Sequence, residues 1–362
     1  MLKKIALSLV ALLVAAGILV VWLVSIAGPG PDREALVVTL PDDVPYVART
    51  PPVTRGRILA VVTSADRYAG TDEPTGYELT ELSRAYYVFR ANGFEVDVAS
   101  PQGGEPPAVL DDDDMGAFDY AFMNDPETWA KVEASLPLGE VDASDYDAVY
   151  FVGGKGTMFD FPDDPAVQAL ARDVYEAGGA VAAVCHGPAA LVNVALSNGR
   201  PLLAGRTVAG FTNEEELFLI PDAAEVFPFL LEDGLAEGGA EVSTGPIYLE
   251  HVVQDGRLIT GQNPWSVWAM AEAVVEALGY TPVARERTPE ERAVDVLLVY
   301  ETGGAAAARA HLVSLLAEEA GSVSRHLLAT HAFVAARQGR WGKTVDLVGL
   351  LRVARRAARH AV

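Results

Sequence analysis

Gly178-Gly179-Ala180-Val181-Ala182-Ala183-Val184-Cys185-His186-Gly187-Pro188 is the stretch that decides the fold. Small and β-branched apolar residues run without a polar break up to a cysteine, and a Gly-Pro pair opens the next element. The pattern predicts a buried strand, a sharp turn at Cys185 and a helix beginning near Pro188. Similar strand-length apolar runs lie at 57–63, 94–99, 148–152 and 258–260. Helical patterns separate them. Leu79, Leu82, Tyr86 and Phe89 recur on one helical face that stops at Asn92-Gly93, and further helices are expected over 165–176, 188–196 and 266–278. Continuous apolar strands alternating with helices imply a doubly wound, mostly parallel α/β sheet of flavodoxin-like type, covered on both faces.

Composition narrows the function. Apolar residues make up 50% of the 362, enough for a sizeable core, and the net charge of −23 excludes a nucleic-acid binder that relies on a phosphate footprint. The single cysteine, Cys185, excludes an intrachain disulfide framework and multi-cysteine metal clusters. Charge is unevenly placed: from Gly303 onward there are nine basic and three acidic residues, against 18 and 47 in the rest.

The chain reads as four segments. Residues 5–27 are uncharged and follow Lys3–Lys4; as a helix they would rise about 35 Å, enough for a hydrocarbon core of about 30 Å. This predicts a single-pass transmembrane anchor, or an uncleaved signal, within 1–28, with the catalytic body outside the cytoplasm by the positive-inside rule. Prolines at 29, 31, 41, 45, 51 and 52 mark 29–55 as an extended linker. The α/β body occupies 56–284, and 285–362 form a basic helical extension. In that extension Arg352, Arg355, Arg356 and Arg359 share a helical face, fit for anionic lipid, an acidic partner or simply solvent. The run Asp111–Asp114 reads as a solvated loop.

In a doubly wound sheet the chemistry gathers at the carboxyl ends of the strands. Cys185 sits at such an end in the layout of a nucleophile elbow, where a helix N-terminus and the adjacent His186 favour the thiolate. A second strand end, Phe151-Val152-Gly153-Gly154-Lys155-Gly156, supplies a glycine turn whose backbone N–H groups can approach an oxyanion.

Taken with four other segments, these two give the chain a family resemblance. The other four are Thr75-Gly76 with Glu81-Leu82, Ser100-Pro101-Gln102-Gly103-Gly104, Gly210–Glu216 and Asp255–Pro264. Over residues 57–283 the sequence resembles the DJ-1/PfpI superfamily of the class I glutamine amidotransferase-like fold, in the branch of glyoxalase III (D-lactate dehydratase) and related stress chaperones. The resemblance implies Cys185 as nucleophile, His186 as its neighbouring base, Glu81 as the carboxyl that meets the sulfur, and Glu216 as the acid orienting the histidine. Glu215 is the alternative to Glu216 if the register slips, and Glu78 reads as structural. Gly153 and Gly154 fall in the oxyanion region. Lys155 stands where the family commonly has histidine, and its charge would favour an anionic substrate. The resemblance further implies a homodimer, a small-molecule carbonyl substrate, and no cofactor. In the body only His186 and His251 are available as histidine ligands, so no metal site is expected.

Three functions are compatible with this set. The first is glutathione-independent conversion of 2-oxoaldehydes such as methylglyoxal into 2-hydroxy acids, a lyase reaction. The second is hydrolysis of an amide or peptide. The third is a non-enzymatic stress chaperone or redox sensor in which Cys185 becomes the sulfinic acid.

Overall fold

The computed structural model describes residues 27, 30, 32–48, 54–111 and 114–360. They divide into two compact units, one over 33–285 and one over 286–362 together with 1–32. The first is built on a seven-stranded sheet: β1 (Gly56–Val61), β2 (Phe94–Ser100), β3 (Leu136–Pro137), β4 (Ala148–Phe151), β5 (Ala180–Val184), β6 (Val252–Asp255) and β7 (Leu258–Gly261). The order across the sheet is β6-β7-β5-β4-β1-β2-β3. Every neighbouring pair is parallel except β6 with β7. All residues of β4 and β5 are buried, as central strands covered on both faces must be. Phe151 pairs with Ala183 and Val184 with Gly261, so the loops leaving β4 and β5 emerge side by side at the carboxyl edge.

Helices cover the sheet. Here α1 is Leu79–Ala91, α2 is Pro165–Glu176, α3 is Asn213–Leu219 and α4 is Val267–Ala277. Nearly all of α1 is buried, Leu79, Leu82, Tyr86 and Phe89 included. Its charged Arg84 is held by Asp119 at 3.2 Å and Asp114 at 3.3 Å. Asp114 is thereby tied down, where the sequence suggests a solvated loop; its neighbours 112 and 113 lie outside the described residues. The helix expected over 188–196 is instead a 3₁₀ turn, Gly187–Leu191. Gly187 lies so close to the Phe151 carbonyl that a Cβ would not fit there. Part of the proline-rich stretch is folded rather than extended. Arg33–Leu36 is helical, Pro41–Asp43 is a 3₁₀ turn, and Val44 and Tyr46 are buried in the core.

One expectation needs correction. No helix among the described residues is long and apolar enough to cross a membrane. The stretch proposed for the anchor, 5–27, lies outside the described residues except for Ala27. The single-pass architecture, and the extracytoplasmic placement of the body that depended on it, therefore find no support among the described residues. The longest described helices cannot take that role, because charged residues recur along them.

Those helices make up the second unit: α5 (Pro289–Glu318), α6 (Arg325–Arg337) and α7 (Trp341–His360). Thr288 and Glu291 form a reciprocal capping box at the start of α5. Gly304, at φ 73°, breaks its regular geometry midway. Leu297, Leu312, Leu328, Leu347, Leu350 and Leu351 are buried, while Arg352, Arg356 and Arg359 are exposed.

Candidate active site

Cys185 is the first residue after β5, and its φ of 57° lies in the left-handed region that a non-glycine residue rarely enters. Two backbone bonds hold the strained turn: Cys185 N–H donates to the Gly261 carbonyl and Phe211 N–H to the Cys185 carbonyl, both at 2.9 Å. The turn presents the sulfur at the edge where the β4 loop also emerges. Cys185 itself is only 3% exposed.

One flank of the sulfur is a chain of formed hydrogen bonds. Cys185 Sγ lies 3.3 Å from His186 Nδ1, and His186 Nε2 lies 2.5 Å from Glu216 Oε2. With Glu216 ionised, Nε2 carries the ring proton and Nδ1 faces the thiol as an acceptor. Glu215 does not reach the histidine. It is fully buried and accepts from Thr212 N–H and O–H, Tyr248 N–H, Gln262 Nε2 and Asn263 Nδ2. It therefore ties three loops together behind the site.

The other flank is Glu81, fully buried in the first turn of α1. Among the described residues neither of its carboxyl oxygens has a partner in full hydrogen-bond geometry. Gly153 makes this approach possible: a Cβ there would run into Glu81 Oε2, the Val184 carbonyl and Cys185 Cβ. Burial, and next the Glu78 carboxylate, push the Glu81 carboxyl well above its ordinary range; the Cys185 thiol and the Gly153 N–H counter this only in part. Burial also raises the Cys185 thiol, followed by the carboxylates of Glu81 and Glu78. The resting pocket thus opposes the thiolate that the sequence led one to expect, and the 3₁₀ turn after Cys185 offers little helix dipole to offset this. The two groups behave as a pair. When Glu81 keeps its proton, its charge no longer opposes the thiolate, and its O–H can donate to sulfur.

The glycine turn closes the site. Gly154 has φ 109° and fits flat against the backbone of Gly76, Tyr77 and Glu78. Lys155, next along, is partly exposed.

Several contributors escape local reading of the sequence. The Thr157 hydroxyl bridges the two turns, 2.8 Å from the Gly154 carbonyl and 3.1 Å from that of His186. Tyr150 O–H donates to the Glu81 carbonyl at 2.8 Å and fixes the start of α1. Tyr68 packs its ring 5.6 Å from Phe159 and 5.8 Å from Phe227, and Phe211 lies 4.6 Å from the His186 ring. This aromatic wall comes from separate segments, so no spacing announces it; the threonine following the glycine turn was the one local hint.

Comparison with known proteins fits this geometry. Residues 74–277 match the DJ-1/PfpI family. The glutathione-independent glyoxalase HSP31 of Saccharomyces cerevisiae is 33% identical over 230 residues, covering 61% of this chain and 97% of that protein. Among solved structures, glyoxalase III of Candida albicans superposes with a TM-score of 0.55 at 29% identity, over 61% of this chain and 97% of that one. The Rapid Encystment Protein 24 kDa of Francisella tularensis gives 0.59 at 35% identity, over 62% of this chain and all of that one. The family match stops at 277, short of α5–α7.

Proposed function

Since the chain belongs to the DJ-1/PfpI family and is an enzyme of it, we propose that it converts 2-oxoaldehydes such as methylglyoxal into 2-hydroxy acids without glutathione, with Cys185 as nucleophile. One observation carries this reading: Cys185 Sγ lies between an acceptor, His186 Nδ1 at 3.3 Å, and a buried carboxyl, Glu81, that has no partner in full hydrogen-bond geometry among the described residues. Amide hydrolysis needs a thiolate and an oxyanion site. Aldehyde isomerisation also needs a proton carrier that can serve two adjacent carbons, and a protonated Glu81 meets that need. The names of the glyoxalase relatives point the same way.

The steps balance with one water consumed. His186 takes the thiol proton as sulfur bonds to the aldehyde carbon, and Glu81 gives its proton to the oxygen; the product is a hemithioacetal. Glu81, now ionised, removes the hydrogen from that carbon while imidazolium protonates the neighbouring carbonyl oxygen, which leaves an enediol. Glu81 returns its proton to the second carbon, and His186 takes the hydroxyl proton from the first, giving a thioester. Water adds its hydroxyl to the acyl carbon and its hydrogen to Glu81. The sulfur leaves and regains its proton from His186, freeing the 2-hydroxy acid. Charges move only between residues already in the pocket. Glu216 steadies the imidazolium, and in this reading the glycine turn at Gly153 and Gly154 lies on the side of the oxygen where charge builds. Lys155 at the mouth favours substrates with an anionic end. A homodimer, implied by the resemblance, is part of the same proposal and is read by light scattering.

The test is lactate formation from methylglyoxal in the absence of glutathione. Wild-type protein should turn over substrate and Cys185→Ala should not. Equal lactate from both would reject the reading.

A further inference from the structure

Among the described residues two that are not glycine sit in the left-handed region, Cys185 at φ 57° and Tyr248 at φ 54°. Both meet Phe211. The backbone N–H of Phe211 donates to the Cys185 carbonyl at 2.9 Å, and its ring lies 6.3 Å from that of Tyr248. Tyr248 is tied in turn to the start of α3: its N–H donates to Glu215 Oε1 and its O–H to the Glu215 carbonyl, both at 2.7 Å. A backbone kept in so uncommon a conformation points to a demand made by its surroundings. Phe211 is what the two strained residues share, and it is buried against the imidazole. Its ring lies 4.6 Å from that of His186, inclined by 31°. Phe227 adds a second ring at 6.1 Å and 30°.

We infer that Phe211 is a positioning residue of the active site, holding the His186 imidazole in the plane that points Nδ1 at the Cys185 sulfur and Nε2 at Glu216. It acts through that ring and carries no proton itself. Rotation of a histidine ring about its bond to Cβ is broad and roughly two-fold, so the side chain does not choose this plane alone. The bond to Glu216 restrains only one corner of the ring. Turning the ring takes Nδ1 off the sulfur, 3.3 Å away, and drives its edge toward the phenyl face. The same face suits the imidazolium that forms when His186 takes the thiol proton, because a cation is drawn to the negative face of an aromatic ring. Since the amide of Phe211 also fixes the Cys185 turn, one residue sets both partners of the proton transfer in a common frame.

This inference rests on His186 acting as the base for Cys185, and it is tested on the thiol so that it and aldehyde turnover can fail separately. The chain has one cysteine, so alkylation of the full chain by iodoacetamide at neutral pH, followed by mass spectrometry, reads Cys185 alone. Phe211→Leu keeps the bulk and the backbone N–H but removes the flat face. It should slow alkylation about tenfold, since a misplacement of about 1 Å can cost about a hundredfold. Phe211→Tyr keeps the face and should stay within about twofold of wild type. A loss of stability alone would not slow the molecules that remain folded. In a His186→Gln background there is no imidazole to hold, and Phe211→Leu should then change the rate by less than about twofold. A wild-type rate in Phe211→Leu, equal slowing in Phe211→Tyr, or the same slowing with and without the imidazole overturns the proposal. If Phe211→Leu does not fold, Phe227→Leu decides in the same two backgrounds: a rate unmoved in wild type, or slowed equally in both, overturns it. Lactate formation from methylglyoxal is measured alongside. Its absence with the coupling to His186 intact rejects the aldehyde chemistry and leaves the role of Phe211 standing.

Discussion

The first turn of α1 and the first turn of α3 each bury a glutamate behind the same cysteine, and the fold treats the two oppositely. Glu215 in α3 is surrounded by donors from Thr212, Tyr248, Gln262 and Asn263. Glu81 in α1 has none in full geometry. Burial raises both carboxyls. At Glu215 the donors pull the shift back, so its charge is spent on tying loops together. At Glu81 little pulls it back, and in the proposed mechanism it holds a proton that it gives up to the substrate. A buried carboxylate is structural or reactive according to who bonds it, not how deeply it lies.

The largest effect that would break this contrast is on activity. Glu81→Gln should lower kcat/KM for methylglyoxal by about 10²–10⁴-fold, the usual worth of a positioned proton carrier. Its thermal unfolding at neutral pH should be unchanged or higher, because a neutral amide replaces an unbonded acid. Glu215→Ala should do the reverse. It leaves several buried donors unpaired and should cost about 3 kcal/mol of stability in a urea titration. Turnover per folded molecule should fall far less than in Glu81→Gln. A swap of these two phenotypes would end the comparison.

The relation between sequence and structure follows the same division between local and distant. β4 and β5 are visible in the sequence because strands buried on both faces must be apolar throughout, and β2 because its apolar residues alternate with exposed Glu95 and half-buried Asp97. The two-residue edge strand β3 offers no pattern to read, and β6 is only half-buried. The helix expected after Cys185 is a fully buried 3₁₀ turn of five residues, a shortening that nothing local in the sequence marks. Within the site, Cys185 and His186 are neighbours in sequence and their contact needs only the turn. Glu216 could be told from Glu215 only by the direction each takes from the α3 cap: one toward the imidazole, the other back into Tyr248 and Asn263. The raised thiol comes first from burial and then from the carboxylates of Glu81 in α1 and Glu78 at its N-cap, an assembly no linear pattern reveals.

A smaller effect sharpens the comparison through pH. In the unfolded chain Glu81 loses its proton above the ordinary 4.5, whereas the folded protein keeps it. The unfolded state thus binds fewer protons, and stability must fall as pH rises through this window, by about 1.4 kcal/mol per unit from this group. The stability that proton uptake confers is fully present below the unfolded value and is lost as pH passes the folded one. Chemical denaturation of wild type and Glu81→Gln between pH 5 and 8 should show a slope in the first that is absent, by that amount, in the second. Parallel slopes would mean that Glu81 is ionised in the folded state.

The proton itself can be observed. Infrared difference spectra of wild type minus Glu81→Gln at pH 7 should contain the carbonyl stretch of a protonated carboxylic acid, shifting on exchange into heavy water. A difference spectrum showing only carboxylate bands would contradict the account, because Glu81 would then have no proton to carry between the two carbons of the substrate.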